Sequence, residues 1–230
     1  MHVAESIDWK SAARIMDHTL LRPEASREQV TKLCSEAALY GFASVCVQPC
    51  WTALAASLLR ATSVKVCTVV GFPHGATLST VKRFEAAELL RLGADELDMV
   101  INLGALKSGE RVLVQNDIRG VVGVSHAAGA LVKVILETAL LTREEKILAC
   151  DLAVAAGADF VKTSTGFAAA GATVEDVRLL RATVGERASI KAAGGIRTAA
   201  DLRAMLAAGA DRVGASASVS IVRELGAPGE

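Results

Sequence analysis

The apolar residues of this chain follow two rhythms. Short, nearly continuous runs at 15–20, 44–47, 65–70, 96–101, 131–136, 160–164, 189–193 and 212–215 are rich in Val, Ile and Leu and read as buried strands. Between them the apolar positions recur every three to four residues, the spacing of one face of a helix. Several of these stretches open with capping-box spacing: Ser26 with Gln29, Thr142 with Glu145, and the Asp variant Thr198 with Asp201. Three strands follow one triplet, Gly-Ala-Asp, starting at Gly93, Gly157 and Gly209, and a looser copy starts at Tyr40. Glycine suits the left-handed position just past a helix, so the triplet marks a repeated helix-to-strand junction.

Apolar strands alternating with helices predict a parallel sheet covered by helices. Eight such units in 230 residues average about 29 residues each. That fits an α/β fold of the (β/α)8 TIM-barrel type, as a single catalytic domain spanning residues 1–230. A doubly wound open sheet is the alternative; eight units with glycine-rich loops late in the chain favour the barrel. No linker, low-complexity segment or second domain interrupts the pattern.

Composition removes several function classes. The chain carries 25 Lys and Arg against 25 Asp and Glu, which gives no electrostatic reason to expect nucleic acid or an acidic membrane. No run reaches the roughly 18 uninterrupted apolar residues of a membrane span, and the first residues, "MHVAESIDWK", lack the apolar core of a signal peptide. Five cysteines in no CxxC pattern read as reduced thiols of a cytoplasmic protein. No spacing of His and Cys suggests a metal site, so neither a metal nor another cofactor is expected.

The candidate chemistry lies in strands that carry a charge where an apolar residue belongs. Lys133, Lys162 and Lys191 sit on strands five, six and seven, Asp98 on strand four, and Cys46 on strand two. If each points inward, three ammonium groups and a carboxylate converge in one cavity. Charges seldom gather in a core unless they are paired or functional. A structural ion-pair network is the plain alternative, and Cys46 reads more simply as a packed small hydrophobe.

Glycines end three successive strands: Gly166 after strand six, Gly194 and Gly195 after strand seven, Gly214 with Ser216 after strand eight. Loops at these places in a barrel hold phosphate through backbone N–H groups. His18 and His74 stand near strand ends, where a histidine more often holds structure than acts as a base, and Asp17 and Thr19 flank His18. The pieces assemble into a mechanism. A lysine is nucleophilic only when neutral, and the ammonium of Lys191 beside Lys162 disfavours a second positive charge. Lys162 would then condense with a carbonyl, and the iminium would serve as electron sink for a C–C bond to break, with Asp98 moving protons through a hydroxyl or water.

The motifs "DHTLLRP", "SVCVQP", "VCTVVGFPHG", "ELDMVIN", "VKVILET", "DFVKTSTGF", "IKAAGGIRT" and "RVGAS" together resemble the deoxyribose-phosphate aldolase family over nearly the whole chain. The resemblance implies a class I aldolase that reversibly cleaves 2-deoxy-D-ribose 5-phosphate to acetaldehyde and D-glyceraldehyde 3-phosphate. It implies that Lys162 forms the Schiff base, Lys191 tunes it, and Asp98 serves proton transfer. Cys46 would line the aldehyde pocket; Asp17, Thr19, Lys133 and Thr165 would contact substrate. Gly166, Gly194, Gly195, Gly214 and Ser216 would hold the phosphate. The partners implied are small phosphosugars and aldehydes, with a second copy of the chain in a homodimer.

Three positions depart from the family pattern. Phe167 stands where some members carry a lysine after "TSTG", Ala217 where they carry a second serine, and the chain ends in "GAPGE" where some end in a tyrosine. Another Schiff-base barrel, such as a transaldolase, and a catalytically silent phosphate-binding barrel are the competing readings.

Overall fold

Each expected strand forms, and the eight close into a parallel barrel in chain order, with the first strand also pairing the last. The strands are β1 (Met16–Leu20), β2 (Ser44–Val47), β3 (Lys65–Val70), β4 (Glu96–Val100), β5 (Leu131–Ile135), β6 (Phe160–Lys162), β7 (Ser189–Ala193) and β8 (Arg212–Ala215). Around them run α1 (Trp9–Ala13), α2 (Arg27–Tyr40), α3 (Thr52–Leu59), α4 (Ser79–Arg91), α5 (Leu103–Lys107), α6 (Arg111–Ala127), α7 (Arg143–Ala155), α8 (Val174–Val184), α9 (Ala199–Ala208) and α10 (Ser218–Glu224). The architecture is a (β/α)8 barrel. This computed structural model describes residues 7–229; residues 1–6 and residue 230, the ends of the expected 1–230 domain, lie outside the described residues.

Local chemistry accounts for the boundaries. The boxes read from sequence are present at α2, α7 and α9: Ser26 and Gln29, Thr142 and Glu145, and Thr198 and Asp201 exchange side-chain and backbone hydrogen bonds. The glycine of each Gly-Ala-Asp triplet sits in the left-handed region, at φ 98°, 90° and 111°. The aspartate has a separate task. Asp95, Asp159 and Asp211 accept hydrogen bonds from the backbone N–H of Val66, Val132 and Ile190, each at the start of the preceding strand. Their own backbone N–H groups bond the carbonyls of the same three residues. The repeat therefore ties every second junction to its neighbour.

The two-residue period of the strands separates two environments. Leu97 and Met99 of β4, Val132 and Val134 of β5, Val161 of β6 and Ile190 of β7 face the helices and form the main core with them. Burying side chains of this size stabilises by about 1.5–3 kcal/mol each. The intervening residues face the barrel interior. There a small apolar cluster, Leu21, Cys46, Cys67 and Val69, occupies one side, and ionised side chains occupy the other. Among the described residues, no helix is long and apolar enough to cross a membrane.

Candidate active site

Among the described residues, seven charged side chains meet inside the barrel, where such folds are more commonly filled by branched apolar residues. Asp98 of β4 and Lys133 of β5 are register partners, as are Lys162 of β6 and Lys191 of β7. Asp98 Oδ2 accepts from Lys162 Nζ at 2.7 Å and from Lys191 Nζ at 2.6 Å, and its Oδ1 accepts from Lys133 Nζ at 2.9 Å. Lys191 Nζ also pairs with Asp17 Oδ2 at 2.5 Å. Lys133 Nζ pairs with Glu96 Oε2 at 2.6 Å and stands 3.8 Å from Asp17 Oδ2. Arg212 completes the group: its Nε donates to Asp17 at 2.5 Å and its other end grips both oxygens of Glu96 at 3.0 and 3.1 Å.

Every member of this network sits in a low-dielectric setting, and the outcome follows from which term wins. Burial works against the Asp98 charge, but Lys133, Lys162 and Lys191 outweigh it and hold the carboxyl well below the usual carboxylate range. Asp17 is likewise held down, burial being overcome by Lys191, Lys133 and Arg212. Burial works against the Lys191 charge as well, and Asp17 and Asp98 reverse it, leaving the amine well above the ordinary lysine range. Lys133 is raised in the same way by Asp98 and its other partners. Lys191 and Lys133 are thus held as ammonium, and Asp98 and Asp17 as carboxylates.

Above this network opens a cavity of about 760 Å³ at the ends of the strands. Lys162 and Lys191 form its floor; Thr19, Thr165, Gly166, Gly194, Gly195, Gly214 and Ser216 lie on its wall. Nine residues named from sequence are thereby brought together. Asp17, Asp98, Cys46 and Lys133 are fully buried and are absent from that wall. The structure places Asp17 and Lys133 beneath the floor, as ion-pair partners of Lys191 and Asp98. Cys46 packs with Leu21, Val69 and Cys67 on the apolar side of the interior. Asp98 touches the lysines that do line the cavity. His18 of β1 borders the cavity and is bonded to Glu36 of α2 at 2.9 Å and packed on Phe42, and His74 is exposed.

The loop after β6 uses two of its hydroxyls as fasteners. Thr163 Oγ1 donates to the Ala193 carbonyl and accepts from the Ala193 N–H, both at 3.1 Å, which joins the ends of β6 and β7. Thr165 Oγ1 donates to Glu137 and accepts from Phe167 N–H at 3.0 Å. Phe167, half exposed, meets the Phe72 ring edge-on at 5.3 Å. Positive charge at the cavity mouth comes from Arg22, Lys32 and Arg197. Across the cavity Gly171 packs so closely on Gly194 that a Cβ would fall 2.2 Å from the Gly194 carbonyl oxygen.

Sequence reasoning missed Glu96, Arg212, Cys67 and Glu137. Two left a signal: Glu96 is two residues before Asp98, and Arg212 two before Gly214, so each shares a strand face with a residue already singled out. Cys67 is visible only through its pairing with Cys46 across β2 and β3. Their sulfurs and an Asp98 oxygen lie within 4.8 Å of one another, a set with metal-ligating atoms that no sequence spacing announced. The Asp98 oxygens, however, are already occupied by three lysines.

Comparison with known proteins agrees with this geometry. A deoxyribose-phosphate aldolase of Thermoanaerobacter sp. (strain X514) is 56% identical over 213 residues, covering 92% of this chain and 96% of its own. One from Streptococcus pneumoniae serotype 19F is 59% identical over 210 residues, covering 91% and 94%. The tetrameric deoxyribose phosphate aldolase of Aeropyrum pernix superposes with a TM-score of 0.89 at 36% identity, over 95% of this chain and 93% of that one. Residues 11–225 match the description DeoC/LacD family aldolase, and with an ionised lysine cluster under a glycine-rimmed cavity in a (β/α)8 barrel, this chain belongs to that family.

Proposed function

We propose that this chain is a class I aldolase that reversibly cleaves 2-deoxy-D-ribose 5-phosphate to acetaldehyde and D-glyceraldehyde 3-phosphate, through an imine on Lys162. The observation that carries the mechanism is a charge count. Among the described residues, the ion pairs of Lys133, Lys162, Lys191 and Arg212 in the interior are with Asp17, Glu96 and Asp98, four cations against three carboxylates. Releasing one proton from one lysine neutralises the cluster. Lys191 pairs with two carboxylates and Lys133 with three, whereas Lys162 pairs with Asp98 alone. Lys162 therefore gives up least by becoming a free amine, and it is on the cavity floor where a carbonyl can reach it.

The free amine adds to C1 of the open-chain sugar, and loss of water gives the iminium. Transfer of the C3 hydroxyl proton to water then lets the C2–C3 bond break, its electrons moving into the iminium to form an enamine, and the same proton later returns at C2. D-glyceraldehyde 3-phosphate leaves; protonation of the enamine at C2 and hydrolysis release acetaldehyde and restore Lys162. Lys191, held as ammonium, opposes charge on the free Lys162 amine. Asp98, held as a carboxylate, fixes both amines through one oxygen and assists proton transfer through a hydroxyl or water. Asp17, Lys133, Glu96 and Arg212 support these groups from below. Thr19 and Thr165 face the sugar, and the amides of Gly166, Gly194, Gly195 and Gly214 with Ser216 face the phosphate, with Arg22, Lys32 and Arg197 supplying the cationic rim that Phe167 does not. Cys46 backs the aldehyde end through the apolar cluster.

The proposal extends to one domain, the cytoplasm and a homodimer. Five free thiols fit a reducing compartment. Leu78, Val81 and Phe84 at the start of α4 are exposed by 72%, 46% and 67%, an apolar strip that fits contact with a second copy. The chemistry is tested by incubating the enzyme with acetaldehyde and borohydride and mapping the modified peptide. One reduced two-carbon unit is expected on Lys162, and Lys162→Ala should lose both label and cleavage. A label on Lys133 or Lys191 with Lys162 unmodified overturns the assignment. Activity should also survive exhaustive EDTA, since the iminium is the electron sink; loss restored by zinc would move the chemistry to a metal.

A further inference from the structure

Glu137 follows β5 and is the one non-glycine residue with positive φ among the described residues, at φ 55° and ψ 63°. It is 3% exposed. A buried glutamate held in the left-handed region persists only where its surroundings fix it, and such positions cluster at functional sites. Its carboxylate is spent entirely on one residue: both oxygens accept from the Thr165 N–H at 3.3 Å, and Oε2 accepts from the Thr165 hydroxyl. The backbone is tied to the same place, since the N–H of the next residue, Thr138, bonds the Thr163 carbonyl at 2.9 Å. Glu137 is not on the cavity wall, while Thr165, Gly166 and Phe167 are.

These bonds decide what Thr165 can offer a ligand. A hydroxyl has one hydrogen and two lone pairs. The hydrogen goes to Glu137, and one lone pair takes the Phe167 N–H. What remains is a single acceptor site, and the Thr165 amide is closed to ligands. The next amide is that of Gly166, which lines the cavity and stands at φ 86°. We propose that Glu137 is a positioning residue: by holding both polar groups of Thr165 it sets Thr165 as an acceptor for a sugar hydroxyl and aims the Gly166 amide at the phosphate. The inference rests on the reading of the glycine loops as the phosphate site.

Two variants separate carboxylate from backbone. Glu137→Gln keeps the shape but leaves one acceptor oxygen for the two Thr165 donors, so it can no longer hold both. Glu137→Gly relieves the left-handed backbone while removing the carboxylate, and a melting temperature for each variant shows that it is folded. For each, kcat/KM is measured on 2-deoxyribose 5-phosphate and on free 2-deoxyribose, together with the rate of borohydride trapping by acetaldehyde, which has neither hydroxyl nor phosphate. The expected result is a fall of about tenfold or more on the phosphorylated sugar, mostly in KM. The free sugar should lose less, and acetaldehyde trapping should stay within about twofold of the parent enzyme. A parallel fall in all three would make Glu137 only a structural support, and no change in any would make its contacts idle; either overturns the proposal. A parent enzyme that treats the two sugars alike would instead refute the phosphate reading, and this inference with it.

Discussion

Lys162 and Lys191 stand side by side on β6 and β7 and bond the same oxygen of Asp98, at 2.7 and 2.6 Å. Their amines are therefore no more than 5.3 Å apart, the two distances laid end to end. Two full charges at that separation repel by about 3 kcal/mol at an effective dielectric near 20. The pair cannot be treated as two independent lysines. Lys191, with two carboxylates, keeps its proton.

Replacing Lys191 by leucine should reverse that balance. Three cations would then face three carboxylates, and the neutral cluster would be the one in which Lys162 retains its proton. Imine formation at pH 7 should slow by about tenfold or more, and the acid limb of the kcat/KM profile should move to higher pH. Activity should partly recover in alkali. A uniform drop in rate with the parent's acid limb would mean that Lys191 positions substrate and leaves the charge of Lys162 to other groups.

The glycine rim makes a separate demand. Gly195 lies at φ 80° with no atom within 4 Å of where a Cβ would sit, so valine has room but the wrong backbone preference. Gly195→Val should tilt the amides of the β7 loop. It is expected to lower kcat/KM for 2-deoxyribose 5-phosphate by about tenfold while costing the free sugar less than about threefold. Equal damage to both would leave Gly195 as a turn residue.

His18 predicts a pH dependence of stability. Burial pushes its imidazole down, and the Glu36 contact only partly offsets this. The folded state then binds fewer protons than the unfolded chain at mildly acid pH. Stability should be intact above the unfolded value of about 6.5 and fall as pH drops below it, by up to about 1.4 kcal/mol per pH unit. Urea unfolding at pH 7 and pH 5 measures the loss. His18→Gln should show a smaller loss; identical pH curves for the two proteins would assign the effect elsewhere.

What the chain itself announced was local. Strand runs, helix spacing, capping boxes and the Gly-Ala-Asp junctions depend on residues within a few positions of one another, and the barrel with all eight strands followed from them. The strand lysines, too, were conspicuous because a charge interrupts an apolar run. Partnership was not legible. Asp17 and Arg212 are 195 positions apart, Lys191 and Asp98 are 93 apart, and only closing β1 against β8 brings the first pair together. Hence sequence named Asp17, Cys46 and Lys133 without their buried partners and overlooked Glu96, Arg212, Cys67 and Glu137. Whether an inward side chain reaches the cavity or lies a layer below it depends on its height along the barrel. That height is set by strand stagger across neighbours, a property of the closed sheet that no single strand encodes.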